Sequence, residues 1–146
     1  MSTQVTFYAV QSAGVSDWAA KLVESAVAKD RRALVFCSSS KEAASIDEHL
    51  WTFKDDTFIP HEVYDELAVE TQRSLPVLVT TTEENTNGAN ILIQLGRGSL
   101  EFGLKFDHVI ELVDRADTEE LQISRERYKA WKKLSRSEDV SVSFKG

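Results

Sequence analysis

Ala33-Leu34-Val35-Phe36-Cys37-Ser38-Ser39-Ser40-Lys41-Glu42-Ala43-Ala44-Ser45-Ile46-Asp47-Glu48-His49-Leu50-Trp51 is the stretch on which the fold of this chain turns. Its first five residues are an unbroken apolar run, short enough for a strand buried on both faces. The serines that follow can cap a helix, and Lys41 to Trp51 reads as that helix. Upstream the same unit occurs once before. Val5-Thr6-Phe7-Tyr8-Ala9-Val10 is rich in β-branched and aromatic residues and predicts a strand. After Gly14, Ser16 is the expected N-cap of a helix in which Trp18, Leu22, Val23 and Ala26 recur at helical spacing, through about Lys29. Strand, helix, strand, helix in this order implies right-handed crossovers and a sheet that is at least partly parallel, covered on both faces.

Downstream the alternation is looser. Phe58-Ile59-Pro60-His61 closes a loop, Pro76 to Thr81 predicts a strand, and Glu83-Glu84-Asn85-Thr86-Asn87-Gly88 is a polar turn. Ile91 to Leu95 is a short apolar run, Gly96 to Gly103 a glycine-rich connection, and His108 to Asp114 a further buried strand. The last long helix begins near Asp117-Thr118-Glu119-Glu120 and ends near Lys132-Lys133, so its charge order follows the helix dipole. The expectation is a single α/β domain over residues 1–146, built as three layers around a mostly parallel, mixed sheet.

Composition sets the bounds on function. The chain has 146 residues, is 42% hydrophobic and 28% charged, and carries a net charge of -7, as a soluble globular domain would. No apolar run is long enough to span a bilayer, and the N-terminus lacks a signal-peptide pattern, so the expected location is cytoplasmic. The lone Cys37 sits in an apolar run and reads as a small buried hydrophobe rather than a reactive thiol. Net acidity argues against direct, strong DNA binding. The acidity is unevenly spread: from Leu121 to Ser137 six basic residues face one acid, Glu126, and an acidic ligand would be drawn there.

The chemistry expected of a doubly wound nucleotide-binding enzyme is missing. The turn after the first strand, Gln11-Ser12-Ala13-Gly14, has one glycine, and neither a P-loop nor a G-x-G-x-x-G fingerprint occurs. His49, His61 and His108 are far apart, without metal-site spacing, and no nucleophile elbow is present. No catalytic residue, metal or cofactor is therefore expected. Two features stand out instead. Trp51, Phe53 and Phe58 fall within eight residues around a polar loop; Phe53 reads as core, while Trp51 and Phe58 are candidate anchors of a partner-binding patch. Arg125, Tyr128, Lys129 and Lys132 are spaced to share one helix face, where three cations surround one aromatic ring. Such a face suits an acidic peptide with an apolar tip, because a guanidinium can clamp a carboxylate through two hydrogen bonds.

Three motifs raise this beyond generic features. Val5-Thr6-Phe7-Tyr8, then Asp47-Glu48-His49-Leu50-Trp51 with Phe58-Ile59-Pro60-His61, then Arg125-Glu126-Arg127-Tyr128-Lys129-Ala130-Trp131 occur in the order and spacing of the chi subunits of bacterial DNA polymerase III, which the chain resembles over nearly its whole length. The resemblance implies a Rossmann-like fold without nucleotide chemistry and a non-catalytic adaptor of the clamp-loader assembly. It implies two partners: the psi subunit, met by Trp51 and Phe58, and the acidic C-terminal tail of single-stranded-DNA-binding protein, met by Arg125, Tyr128, Lys129 and Lys132. Two positions depart from the family pattern. Leu121 stands where a lysine is expected, and the loop Arg115-Ala116-Asp117 is shorter, which bears on one wall of the tail site.

A competing reading comes from Arg32 to Leu50, which also resembles the opening of the second RecA-like domain of helicases. It would make the chain a nucleotide-binding or nucleic-acid-binding module. The missing P-loop and the missing arginine-bearing helicase motif weigh against it.

Overall fold

A computed structural model describes residues 2–10, 14–52 and 59–145 of the chain. In chain order the elements are β1 (Thr3–Val10), α1 (Val15–Ala28), β2 (Ala33–Phe36), α2 (Ser40–Thr52), β3 (His61–Val63), α3 (Val69–Gln72), β4 (Val77–Thr80), β5 (Ile91–Gln94), α4 (Leu100–Gly103), β6 (His108–Asp114), α5 (Thr118–Leu134) and β7 (Val140–Lys145). The strands form one seven-stranded sheet in the order β3-β4-β2-β5-β6-β1-β7, and every pairing is parallel, so the mixed sheet expected from sequence is parallel throughout. Helices cover both faces, giving the three-layer, Rossmann-like arrangement. Among the described residues no helix is long and apolar enough to cross a membrane.

Burial follows from the alternation of side chains along each strand. Ala33, Val35, Val77, Val79, Ile91, Ile93 and Ile110 face α1 and α2, which bury Ala20, Val23, Ile46 and Leu50 against them. Val5, Phe7, Leu34, Phe36, Leu78, Leu92, Val109 and Val113 face the opposite layer, where Phe102, Phe106 and Trp131 close the core. The central strands β2, β4 and β5 are buried at every residue, which is why they read as continuous apolar runs.

Local signals account for most element ends. At the start of α2, Ser39 Oγ accepts from the Glu42 N–H at 3.1 Å, and the Glu42 carboxylate accepts from the Ser38 N–H at 2.8 Å, a reciprocal cap. The expected cap of α1 is corrected: the N-cap is Gly14, without a side-chain hydrogen bond, and Ser16 lies inside the first turn beside Asp17. Asp17 places a carboxylate near the positive end of the helix dipole, and it pairs with His49 Nε2 at 2.8 Å. The glycine-rich connection contains a short helix, α4, whose N-cap Ser99 accepts from Phe102 N–H at 3.2 Å. Gly103 is needed at its end because a Cβ there would lie 2.8 Å from the Trp131 ring. Cys37 is buried, and its thiol is pushed up to about 12 by burial and then by the Glu42 charge.

Candidate functional site

Two clefts stand out among the described residues, and the larger is the poorer candidate. It holds about 910 Å³ at the carboxyl ends of the strands, where doubly wound proteins place phosphates. Its charged lining is four carboxylates (Glu42, Asp114, Asp117, Glu120) against Lys41 and Arg97, and Arg97 is already paired with Glu120 at 2.8 Å. Asp117 is spent capping α5, accepting from Glu119 N–H and Glu120 N–H. An acidic cleft of this kind repels a phosphate.

The second cleft, about 610 Å³, lies between α5 and the carboxyl ends of β6, β1 and β7. Phe7, Ala9, Val113, Leu121, Tyr128 and Phe144 supply apolar surface, and Arg115, Arg125 and Lys129 supply positive charge around it. Tyr128 meets Phe7 edge to face at 5.4 Å, which holds the tyrosine ring upright as one wall. Arg125, Tyr128 and Lys129 thus come together in one groove; Lys132 stands one turn further along α5, with its ammonium 5.9 Å from the Tyr128 ring centre. The shorter loop after β6 still furnishes a wall, because Arg115 reaches the groove and donates to the Ala9 carbonyl at 3.3 Å. Leu121 adds apolar surface where the family pattern expects charge.

The groove depends on how α5 is seated. Arg127, two residues from Arg125, points inward and grips Glu111 of β6 with two hydrogen bonds of 2.9 and 2.7 Å, while its third nitrogen donates to the Gly98 carbonyl at 2.9 Å. Trp131 Nε1 donates to the same Glu111 carboxylate at 3.2 Å, and the indole is fully buried. Glu111 is therefore the buried acceptor that fixes α5 to the sheet, a role sequence reading did not assign. Phe144 and Arg115 were also missed as groove residues. Phe144 is 59% exposed on the edge strand; the alternation Val140-Ser141-Val142-Ser143-Phe144 is the period-two signal that marks it.

Trp51 sits at the end of α2, 53% exposed, with its ring 4.6 Å from His61 on β3. His61 is buried and anchored: one ring nitrogen lies 2.6 Å from the Ile59 carbonyl and the other 3.2 Å from the Asp47 carbonyl. Val63, on the same face of β3 as His61, is 39% exposed, and Leu67 in the turn beyond is 92% exposed. Phe58 lies outside the described residues, as does Phe53, so only Trp51 of the expected anchors is placed. His49 is bonded to Asp17 at 2.8 Å, and His108 to Thr6 Oγ1 at 3.1 Å.

Comparison with known proteins gives a consistent family. The family model described as DNA polymerase III chi subunit, HolC, matches residues 1–137. The chi subunit of Escherichia coli K12 is 33% identical over 104 residues, covering 70% of this chain and 67% of that protein. The chi subunit of Haemophilus influenzae is 30% identical over 116 residues, 79% of this chain and 78% of that one. That of Pseudomonas aeruginosa is 31% identical over 114 residues, 76% of this chain and 77% of that one. Among solved structures, a DEAD box protein from Methanococcus jannaschii superposes with a TM-score of 0.64 at 13% identity, over 97% of this chain and 41% of the other. The C-terminal domain of the DEAD-box protein Dbp5 gives 0.63 at 13% identity, over 98% and 89%. These two share the fold, which is what the helicase-like stretch Arg32 to Leu50 reflects.

Proposed function

The chain belongs to the DNA polymerase III chi subunit family, and from that premise we propose that it is a non-catalytic adaptor bridging two protein partners. A replication accessory role comes with the family. The finer reading is that the groove between α5 and β7 takes the acidic C-terminal tail of single-stranded-DNA-binding protein, while the surface around Trp51, together with Phe58, takes the psi subunit and through it the clamp loader. The observation that carries the reading is the groove itself: an apolar slot with Tyr128 as a wall and Arg115, Arg125 and Lys129 around it. An acidic peptide ending in an aromatic residue presents the complementary set of groups, a ring for the slot and carboxylates for the cations.

In this reading Arg125 holds the terminal carboxylate and Lys129 with Lys132 attract the acidic run from longer range. Lys129 is partly screened by Glu126, 3.9 Å away, and both are well exposed. Removing Arg125 therefore costs more than removing either lysine, since a hydrogen bond to a charged group contributes about 1.5–3 kcal/mol and an exposed ion pair about 0.2–1 kcal/mol. Calorimetry with an acidic peptide ending in phenylalanine tests this against the parent, Arg125→Ala, Tyr128→Ala and Lys129→Ala. Equal binding by Arg125→Ala, or by a peptide lacking its final phenylalanine, would refute the groove assignment. Saturable micromolar ATP binding would instead favour the helicase-like reading.

A further inference from the structure

On the side of the sheet away from α5 and its groove, the helical layer stops short. Helix α1 is seated over β2, β5 and β6 and α2 over β3 and β4, so on that side β1 and β7 extend beyond it. Strand register sets three rows of side chains on the open face: Gln4 beside Ser141 and His108, Thr6 beside Ser143, and Tyr8 beside Lys145. The rows contain hydroxyls, an amide, an imidazole and one ammonium, but no carboxylate. Thr6 Oγ1 lies 3.1 Å from His108 Nε2 and 3.5 Å from Ser143 Oγ.

Helix α1 walls this face with rings and cations. Trp18, Leu22, Ser25 and Lys29 recur at i, i+4, i+7 and i+11 and share one flank. That flank is the one turned to β1, because the Trp18 ring is stacked on Tyr8 with centroids 5.6 Å apart and planes 28° apart. The Lys21 ammonium lies 5.5 Å from the Trp18 ring centre. Arg31 follows α1, and its charge and that of Lys145 both act on His108, so the two cations flank the same ring. Among the described residues none of Lys21, Lys29, Arg31 and Lys145 makes an ion pair. Asp17, bonded to His49 of α2, marks the opposite flank of α1, and Glu24 shares it two turns on.

We propose that this face is a weak binding surface for a short run of single-stranded nucleic acid, with a base stacked on Trp18 and phosphates held by Lys21, Lys29, Arg31 and Lys145. Trp18 is held by its stack on Tyr8 and is still 38% exposed, which makes it a preorganised platform. Stacking of a base outweighs an exposed cation–π contact, and the displaced Lys21 ammonium, on its flexible stem, can turn to the adjacent phosphate. From Trp18 to Lys29 the helical rise amounts to about 16 Å, room for about four nucleotides at the 3.4 Å rise of a stacked strand. Ser25, Ser141, Ser143 and Gln4 add neutral donors for phosphate and sugar oxygens. The net charge of -7, and Asp30, Asp107 and Asp139 at the amino ends of the strands, keep the affinity low. The contact therefore serves a chain already held beside nucleic acid, where the effective concentration is high.

The test titrates the full chain into a fluorescein-labelled twelve-residue oligothymidylate at low salt and follows anisotropy. Saturable binding is expected, with a slope of log affinity against log salt of about -2 for three neutralised phosphates. Trp18→Leu should weaken binding at least fivefold, while Trp18→Phe, which keeps a ring, should stay within about twofold of the parent. Lys21→Ala combined with Lys145→Ala should bring the slope to about -1 without touching the core. Lys133→Ala combined with Arg136→Ala, at the end of α5, should change affinity by less than about twofold. No saturable binding at millimolar protein, or a Trp18→Leu variant that binds like the parent, would overturn the proposal. So would a larger loss from the Lys133 and Arg136 pair than from Trp18→Leu, which would put the oligonucleotide on α5. A twelve-residue polyaspartate that displaces the oligonucleotide at equal concentration would overturn it too, since the surface would then attract anions without reading bases.

Discussion

Replacing Arg127 by methionine should destabilise the protein by about 3–5 kcal/mol, although that side chain turns inward and does not line the groove. The Arg127 and Glu111 side chains are 13% and 5% exposed, so solvent screens their interaction little. Removal of the guanidinium leaves the Glu111 carboxylate buried with the Trp131 N–H as its remaining side-chain donor, and leaves the Gly98 carbonyl without its charged donor. Against a total stability of about 5–15 kcal/mol for a domain, the variant should still fold, but its urea midpoint should drop sharply with an unchanged slope. Its thermal midpoint should fall by roughly 10 °C, at about 3 °C per kcal/mol for a chain of this size. The partner variant makes the reasoning sharper. Glu111→Gln combined with Arg127→Met leaves no buried charge, yet the amide oxygen can still accept from Trp131 Nε1, so the double variant should be more stable than Arg127→Met alone. Arg127→Met within about 1 kcal/mol of the parent, or a double variant no better than the single one, would show that the pair does not seat α5 as described.

The remaining expectations concern the other surfaces. Trp51→Ala should cost much less than the about 3–5 kcal/mol typical of a buried aromatic, because the ring is 53% exposed, while abolishing association with psi; a large stability loss in urea would instead make Trp51 a core residue. Gly103→Ala should destabilise by about 1–3 kcal/mol, since the new methyl group meets the Trp131 ring at 2.8 Å; calorimetric unfolding reads this directly, and a neutral result would mean that the indole can shift. Burial, and then the charges of Arg31 and Lys145, hold the His108 imidazole below its ordinary value of 6.5. The unfolded chain therefore takes up a proton before the folded one as pH falls, so the stability tied to the neutral ring is present above about pH 6.5 and lost below it. His108→Gln should flatten the dependence of urea stability on pH between 7 and 5, and parallel curves for parent and variant would refute this.

The central strands could be read from sequence because a parallel strand buried on both faces has to be largely an apolar run, and Ala33 to Phe36, Val77 to Val79 and Ile91 to Ile93 are such runs. The edge strands carry a weaker signal, a short run in β3 and only the period-two alternation in β7. His61–Val63 is three residues long and directly follows Pro60, and Val140–Lys145 alternates with serines, so neither carries the hydrophobic weight that marks a core strand. The helix contribution to the groove was legible for the same reason that α5 itself was: Arg125, Tyr128 and Lys129 fall at helical spacing. The sheet contribution was not, since Phe7, Arg115 and Phe144 come from three strands or their ends and meet only through long-range pairing. Arg127 had been indistinguishable from its exposed neighbours. Its inward turn is dictated by Glu111, sixteen residues away, and nothing local to α5 announces it.

The proposed bridging role requires two surfaces that do not interfere, and the sheet holds them apart. Trp51 lies over His61 on β3, one edge of the sheet, and the groove lies against β7, the other edge. Six strand spacings separate β3 from β7, roughly 29 Å at about 4.8 Å each. A ligand at one edge therefore neither touches nor screens a ligand at the other, the separation being several Debye lengths at physiological salt. The central strands between them are buried at every residue in β2, β4 and β5, so the two surfaces are joined through close-packed core. On the proposed role, two partners held this way should bind additively, and the domain's contribution would be proximity: each partner raises the effective concentration of the other without changing its intrinsic affinity for the chain.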